Sequence, residues 1–395
     1  MQNIFSCGML YFFLVSVFLA PLINAQDNRP VKFSASLTSL YTDNRDSLEK
    51  GEENMDISIQ PAVKVDMDKG DSSLYFTYAP SYRMRTDPAP DQNDAQLFQE
   101  LVFDGTYGLG PRTSLRLMDN FYITDDPAVQ EYGTTIRRDS SFLLNRAMIV
   151  ANVPLSRRMS ADLSFSHLMK RYDDKIVAKD SDEDGMGAMG GLWFSLSKEL
   201  GIKVIAKYDA YDYDNSYGLK RGVDTVVGAA GMEYIISEQI RSFLRVGAIR
   251  ASYEDETLGD QSGPYVDASL IVSPQPATRF SIGAGHSIRN SDVFPFASQK
   301  ETRGNEGMDW RIDRIKLDMS GQYRIGSYDI DTIPRNFPGT IKQGDEKRVI
   351  LSAGITFNLG DYTSLRIGQS YQKTDSDVSV DFTRNDTILT LDRQF

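Results

Sequence analysis

The chain has one cysteine, Cys7, among 395 residues. Without a second thiol there is no disulfide framework, and a metal site built on sulfur is excluded. Histidine is almost as scarce, with only His167 and His286. Beyond the first 25 residues no stretch approaches 18 consecutive apolar residues, which rules out a transmembrane helix there. A glycine-rich phosphate loop, zinc-ligand spacing and a basic aromatic face for nucleic acid are all missing. No Pro/Gly/Ser-rich linker or composition shift marks a boundary, so the chain reads as one unit. Mean hydropathy is −0.37. That value leaves a membrane barrel open, because only every second residue of a membrane strand meets lipid.

At the N-terminus, Ile4 to Leu22 is apolar and uncharged and runs into Ile23-Asn24-Ala25. This predicts a secretory signal peptide over residues 1–25, cleaved before Gln26. No Lys or Arg precedes the apolar core and Ile23 is large for its place, so an uncleaved anchor is the competing reading. Residues 26–395 then form the folded domain.

What the chain does have is a rhythm. Tyr41, Tyr82, Tyr122 and Tyr172 are followed by Tyr211, Tyr253, Tyr328 and Tyr371, with spacings of 41, 40, 50, 39, 42, 75 and 43. Each closes an alternating apolar/polar run and precedes a polar stretch, so a supersecondary unit repeats about every 40 residues. A propeller blade would need short strands of about 5 to 6 residues; runs of roughly 10 match a tilted membrane-spanning strand. The first run sets Val31, Phe33, Ala35, Leu37 and Tyr41 against Lys32, Ser34, Ser36 and Thr38. The fold class expected is all-β: a single closed antiparallel transmembrane barrel of about 18 strands, with 16 as the alternative.

Connections alternate between short and long. Short ones fall at Asp68-Lys69-Gly70-Asp71, Gly110-Pro111-Arg112, Ser156-Arg157-Arg158 and Gly360-Asp361, among others, and long ones near 86–95, 125–141, 173–185 and 290–307. Outer-membrane barrels show this asymmetry, with turns on the periplasmic side and loops outside. An even strand count requires 308–318 and 322–331 to be separate strands with a turn near Ser320-Gly321. Pro61 and Pro80 fall inside strands and predict a bulge or kink near the outer rim. Phe395 ends an alternating run with Thr387, Leu389 and Leu391, which resembles an assembly signal for barrels.

The net charge of −12 is uneven. Residues 42–55, 86–95, 125–141, 173–185 and 254–263 carry −3, −3, −2, −4 and −4, so the remainder is about +4. Strict alternation points Arg83, Arg85, Arg116, Lys203, Lys207 and Arg245 into the lumen. Arg314, Lys316 and Arg366 join them, with Glu100, Asp104 and Asp209 as acids. Fixed charges of this kind hold water and set selectivity; a wall of self-neutralising pairs and a preference for anions are equally compatible with the pattern. The eight tyrosines are expected as an aromatic rim. Strict alternation, however, turns Tyr122, Tyr172, Tyr211 and Tyr253 inward unless bulges shift the register.

Asp180-Ser181-Asp182-Glu183-Asp184-Gly185 matches the first six positions of a calcium loop. The twelfth position is Gly191 instead of a bidentate Glu, so a solvated acidic loop is the plainer reading, and no other cofactor is indicated. Both histidines fall on the lipid-facing parity, and Ser166 points away from its neighbour His167. Hydrogen-bond reach for a serine–histidine pair is thereby denied, and no enzyme is expected.

Tyr41-Thr42-Asp43-Asn44, Ile57-Ser58-Ile59-Gln60-Pro61 and Leu115-Arg116-Leu117-Met118-Asp119-Asn120-Phe121 resemble the second putative β-barrel porin family. In that family a first strand ends in Asp-Asn and a second carries a proline after alternating aliphatics. The resemblance implies a large outer-membrane barrel associated with exopolysaccharide export. Its implied partners are outer-membrane lipid, the barrel assembly machinery and periplasmic export components. A solute porin and a loop-plugged structural or adhesive barrel are the other readings.

Overall fold

Side chains that alternate along a run can satisfy lipid on one side and water on the other only as a strand. Lipid leaves no backbone edge unpaired, so such strands must close on themselves. The computed structural model describes residues 30–45, 47, 49–86, 95–110, 112–125, 141–213, 218–291, 293–334, 337 and 342–395. The segment expected as a signal peptide lies outside them. Among the described residues there are eighteen strands: β1 (Val31–Thr42), β2 (Asn54–Lys69), β3 (Ser72–Arg85), β4 (Ala95–Gly110), β5 (Thr113–Thr124), β6 (Phe142–Pro154), β7 (Met159–Tyr172), β8 (Glu183–Ser195) and β9 (Leu200–Tyr213). They continue as β10 (Val223–Ser237), β11 (Ile240–Tyr253), β12 (Gln261–Gln275), β13 (Thr278–Asn290), β14 (Ser298–Ile312), β15 (Ile315–Tyr328), β16 (Gly344–Asn358), β17 (Thr363–Ser376) and β18 (Phe382–Gln394). A short helix, α1 (Lys175–Ser181), follows β7. No helix among the described residues is long and apolar enough to cross a membrane.

Sequential strands pair antiparallel throughout, and β1 pairs with both β2 and β18, closing the barrel. On β1, Phe33 and Leu37 are 52% and 48% exposed on the outer face, while Lys32, Ser34, Ser36 and Thr38 face the lumen. Register carries this division round the wall: Leu37 stands opposite Ile59 on one side and Leu391 on the other. The Asp43-Asn44 pair locks the seam. Asp43 accepts hydrogen bonds from the Asn385 amide (2.7 Å) and Asn385 Nδ2 (2.6 Å), and Asn44 Nδ2 donates to the Thr383 carbonyl (2.8 Å).

Short turns gather at one end. Between β2 and β3 the two-residue turn Gly70-Asp71 places Gly70 at φ +62°, the positive-φ first position that a tight hairpin demands. Gly70→Ala is expected to cost about 1 kcal/mol from the left-handed backbone penalty, read as a lowered urea midpoint in detergent. One expected turn moves. Ser320 and Gly321 lie mid-strand in β15, and the chain reverses at Asp313-Arg314. Residues 298–307, expected within a long loop, belong to β14. The total of eighteen stands.

The two prolines produce no bulge. Ile59 pairs with Tyr82 and Val63 with Tyr78 in one unshifted register, which sets Pro61 directly across from Pro80. The two missing donors thus share a single gap in the ladder, and Gln60 Nε2 reaches the Ala79 carbonyl inside it (3.4 Å).

Candidate functional site

Most of the charged side chains expected in the lumen are there, and nearly all of those named above are paired. Arg83 and Arg85 converge on Asp125 at 2.8 and 3.0 Å. Arg116 Nε donates to Asp104 (2.8 Å), Lys207 meets Asp209 at 2.7 Å, and Arg245 lies 3.8 Å from Asp267. Glu100 faces the lumen opposite Tyr122. Two pairs span an intervening strand. Lys203 of β9 reaches Asp162 of β7 over Gly191, where a Cβ would lie 2.9 Å from Lys203 Cε. Arg366 of β17 binds Asp318 of β15 bidentately (2.6 and 2.7 Å), passing over Gly354. Lys316 pairs with Asp309 (3.5 Å). Arg314 does not line the lumen; it sits in the turn after β14, because the chain reverses there.

A denser cluster lies on β13 to β16, and its centre, Glu301 with Arg303, falls in the stretch expected as a loop. Glu301 is 1% exposed. It is approached by Arg324 (3.0 Å), Arg289 (3.3 Å) and Arg303 (3.9 Å). Arg348, opposite Arg324, pairs with Glu346 (3.1 Å). This stretch evades sequence reading because both parities of upper β14 are polar: Ser298, Lys300 and Thr302 alternate with Gln299, Glu301 and Arg303.

Among the described residues, helix α1 and one hairpin tip fold into the mouth. Helix α1 is capped by Asp174, whose side chain accepts from the Ile176 amide (2.7 Å). Its Val177 and Ala178 pack against Phe142, Leu144 and Tyr172 on the inner wall. The second element is the tip of the β13–β14 hairpin. Ile288 is buried against Val223, Val227 and Ile249, inward residues of β10 and β11. Asn290 Nδ2 donates to Glu183 Oε1 of β8 (2.9 Å) and to the Tyr213 hydroxyl of β9 (2.6 Å). The tip therefore runs past β10 and β11 on the inner side to reach β8 and β9, and among the described residues it narrows the mouth. Arg221, 1% exposed, fastens it. Its guanidinium donates to the carbonyls of Ser291 (2.7 Å) and Phe296 (3.0 and 3.1 Å) and lies over the Tyr213 ring at 4.5 Å.

The eight tyrosines all sit at the upper ends of odd-numbered strands, and they divide by parity. Tyr41, Tyr82 and Tyr371 face outward as rim residues. Tyr122, Tyr172, Tyr211, Tyr253 and Tyr328 face inward, because no register shift occurs within those ladders away from the turns. They pack against the inward elements, and the Tyr253 hydroxyl meets Ser298 Oγ at 2.6 Å. The gap of 75 in the series falls on β13, the strand that leaves the wall.

The calcium-loop match does not persist as a loop. Asp180 and Ser181 close helix α1, whereas Glu183, Asp184 and Gly185 begin β8. Asp182 accepts from the Tyr172 amide (2.8 Å), Asp184 pairs with Arg171, and Glu183 pairs with Lys170 (3.2 Å). His167 stands on the outer face of β7; His286, on the outer face of β13, meets Thr302 Oγ1 at 2.8 Å. At the last strand, the Phe395 amide donates to the Phe33 carbonyl (2.8 Å), which ties the chain end to β1.

A family model described as "Putative beta-barrel porin 2" matches residues 159–395. The chain belongs to that family. This porin is accordingly an outer-membrane β-barrel and a channel rather than an enzyme. A comparison with curated proteins finds no significant match. Among solved structures, the barrel is similar to OccAB2 of Acinetobacter baumannii, at 12% identity and TM-score 0.49, covering 93% of this chain and 98% of that one. It is also similar to OccK2 (OpdF) of Pseudomonas aeruginosa in complex with glucuronate, at 12% identity and TM-score 0.48, covering 92% and 98%. Export of exopolysaccharide, expected from the resemblance, gains no support from these relatives.

Proposed function

We propose that this porin is a diffusion channel for small hydrophilic solutes, with a mild preference for anions. The observation that carries the proposal is the hairpin tip held inside the mouth by Arg221 and Asn290. A thick, continuous polymer would have to displace it, whereas a small solute passes beside it. The charged wall supports a watered passage, since ionised side chains facing the lumen keep it hydrated. The preference for anions is supported by the basic side chains Arg289, Arg303 and Arg324 standing together around Glu301 on this stretch of wall.

Liposome swelling with graded sugars tests the proposal. Monosaccharides and disaccharides are expected to enter, with rates falling steeply for larger oligosaccharides. A reversal potential under a salt gradient is expected to favour the anion. A pore closed to every sugar would instead speak for export or for a barrel without transport.

A further inference from the structure

The β12–β13 seam differs from its neighbours. The β11–β12 ladder runs to Ala251–Gln261 and the β13–β14 ladder runs to Asn290–Ser298. Between them, β12 and β13 part after Val266–His286, although both strands continue. The free edge of β12 contains Pro264. Its pairing with Ala248 of β11 is unbroken, so the missing N–H falls on the side that β13 has left. A proline there removes one bond from the ladder that β13 would otherwise complete. Meanwhile Ile288 lies inside the wall, with its Cδ1 3.6 Å from the Cβ position of Gly263.

The departed segment still fits the wall. Extending the register beyond Val266–His286 would set Pro264 opposite Ile288 and Ser262 opposite Asn290. Ile288 would then face lipid, while Ser287 and Arg289 would face the lumen. The alternation of β13 is therefore satisfied in either position. We propose that the tip of the β13–β14 hairpin is a gate with two seats. Docked on the inner wall of β8 to β11 it narrows the passage; paired with the free edge of β12 it widens it. Arg221 is the latch of the docked seat. The gate deepens the porin reading and rests on it.

Cysteine pairs test the gate cleanly, because Cys7 is the only native thiol. Gly263→Cys with Ile288→Cys links the docked seat, and Ser262→Cys with Asn290→Cys links the paired seat. Both pairs are expected to oxidise in the full-length barrel. Oxidation should lower single-channel conductance for the first pair and raise it for the second, each reversed by reductant. Arg221→Ala should raise the mean conductance about two-fold or more by shifting the population toward the paired seat. If the Ser262/Asn290 pair does not oxidise, the second seat does not exist and the gate is refuted, whatever passes through the barrel. If both disulfides form and conductance stays the same, the gate is refuted while the porin reading stands. If both disulfides form in a barrel that conducts nothing in any state, the two seats survive and the porin reading falls.

Discussion

Glu301→Gln is expected to destabilise the barrel by about 3 kcal/mol, because removing one partner from a buried ion pair strands the other charge. The effect should be large because Glu301, 1% exposed, serves Arg289, Arg303 and Arg324 together. Of these, Arg324 is itself buried, its side chain 8% exposed, and has the least water to fall back on. Glutamine keeps the shape but turns one accepting oxygen into an NH2 donor, so the loss reports the missing charge and acceptor rather than a cavity. Two readouts follow. The urea midpoint should fall, and the reversal potential under a salt gradient should move further toward the anion. A stability loss without a selectivity shift would make the cluster a structural brace and leave the anion preference without support.

Leu37→Lys and Ser36→Lys should differ sharply although the positions are adjacent. Leu37 is on the outer face between Ile59 and Leu391, near the middle of β1, and a lysine there is expected to cost about 2–4 kcal/mol. Ser36 faces the lumen and already hydrogen-bonds Asp392. A lysine at 36 exchanges that bond for an ion pair in water, a change of within about 1 kcal/mol. Unfolding midpoints of the two variants in matched detergent check this. Equal costs would refute the assignment of faces, since a shift of one residue exchanges the two sides of a strand.

The strands themselves were legible. Side chains of period two in runs of membrane length leave a closed barrel as the main solution, and the shared outer face of Leu37, Ile59 and Leu391 agrees with that alternation. The Pro61–Pro80 irregularity lies near the middle of β2 and β3 and not near the outer rim where the sequence pattern puts it, and its outcome depends on register. Two missing donors in one pair open one gap and do not require an extra residue to bulge. The turn at Asp313-Arg314 is not legible, because β14 is polar on both parities above Met308 and alternation does not mark where that strand begins. Arg314 was misplaced for the same reason. Arg221 carried no signal at all, as it stands in the polar connection before β10.

The pattern of greasy and wet side chains by itself determined that the chain forms about eighteen long strands, which face most residues of a run take and that the wall must close. It could do so because the demand for lipid on one side and water on the other acts locally, residue by residue. Tertiary structure alone decided that the β13–β14 tip lies inside the mouth, that Arg221 holds it, and that three arginines share Glu301. Those outcomes come from contacts between distant strands, and the alternation of β13 is obeyed equally inside the wall and within it.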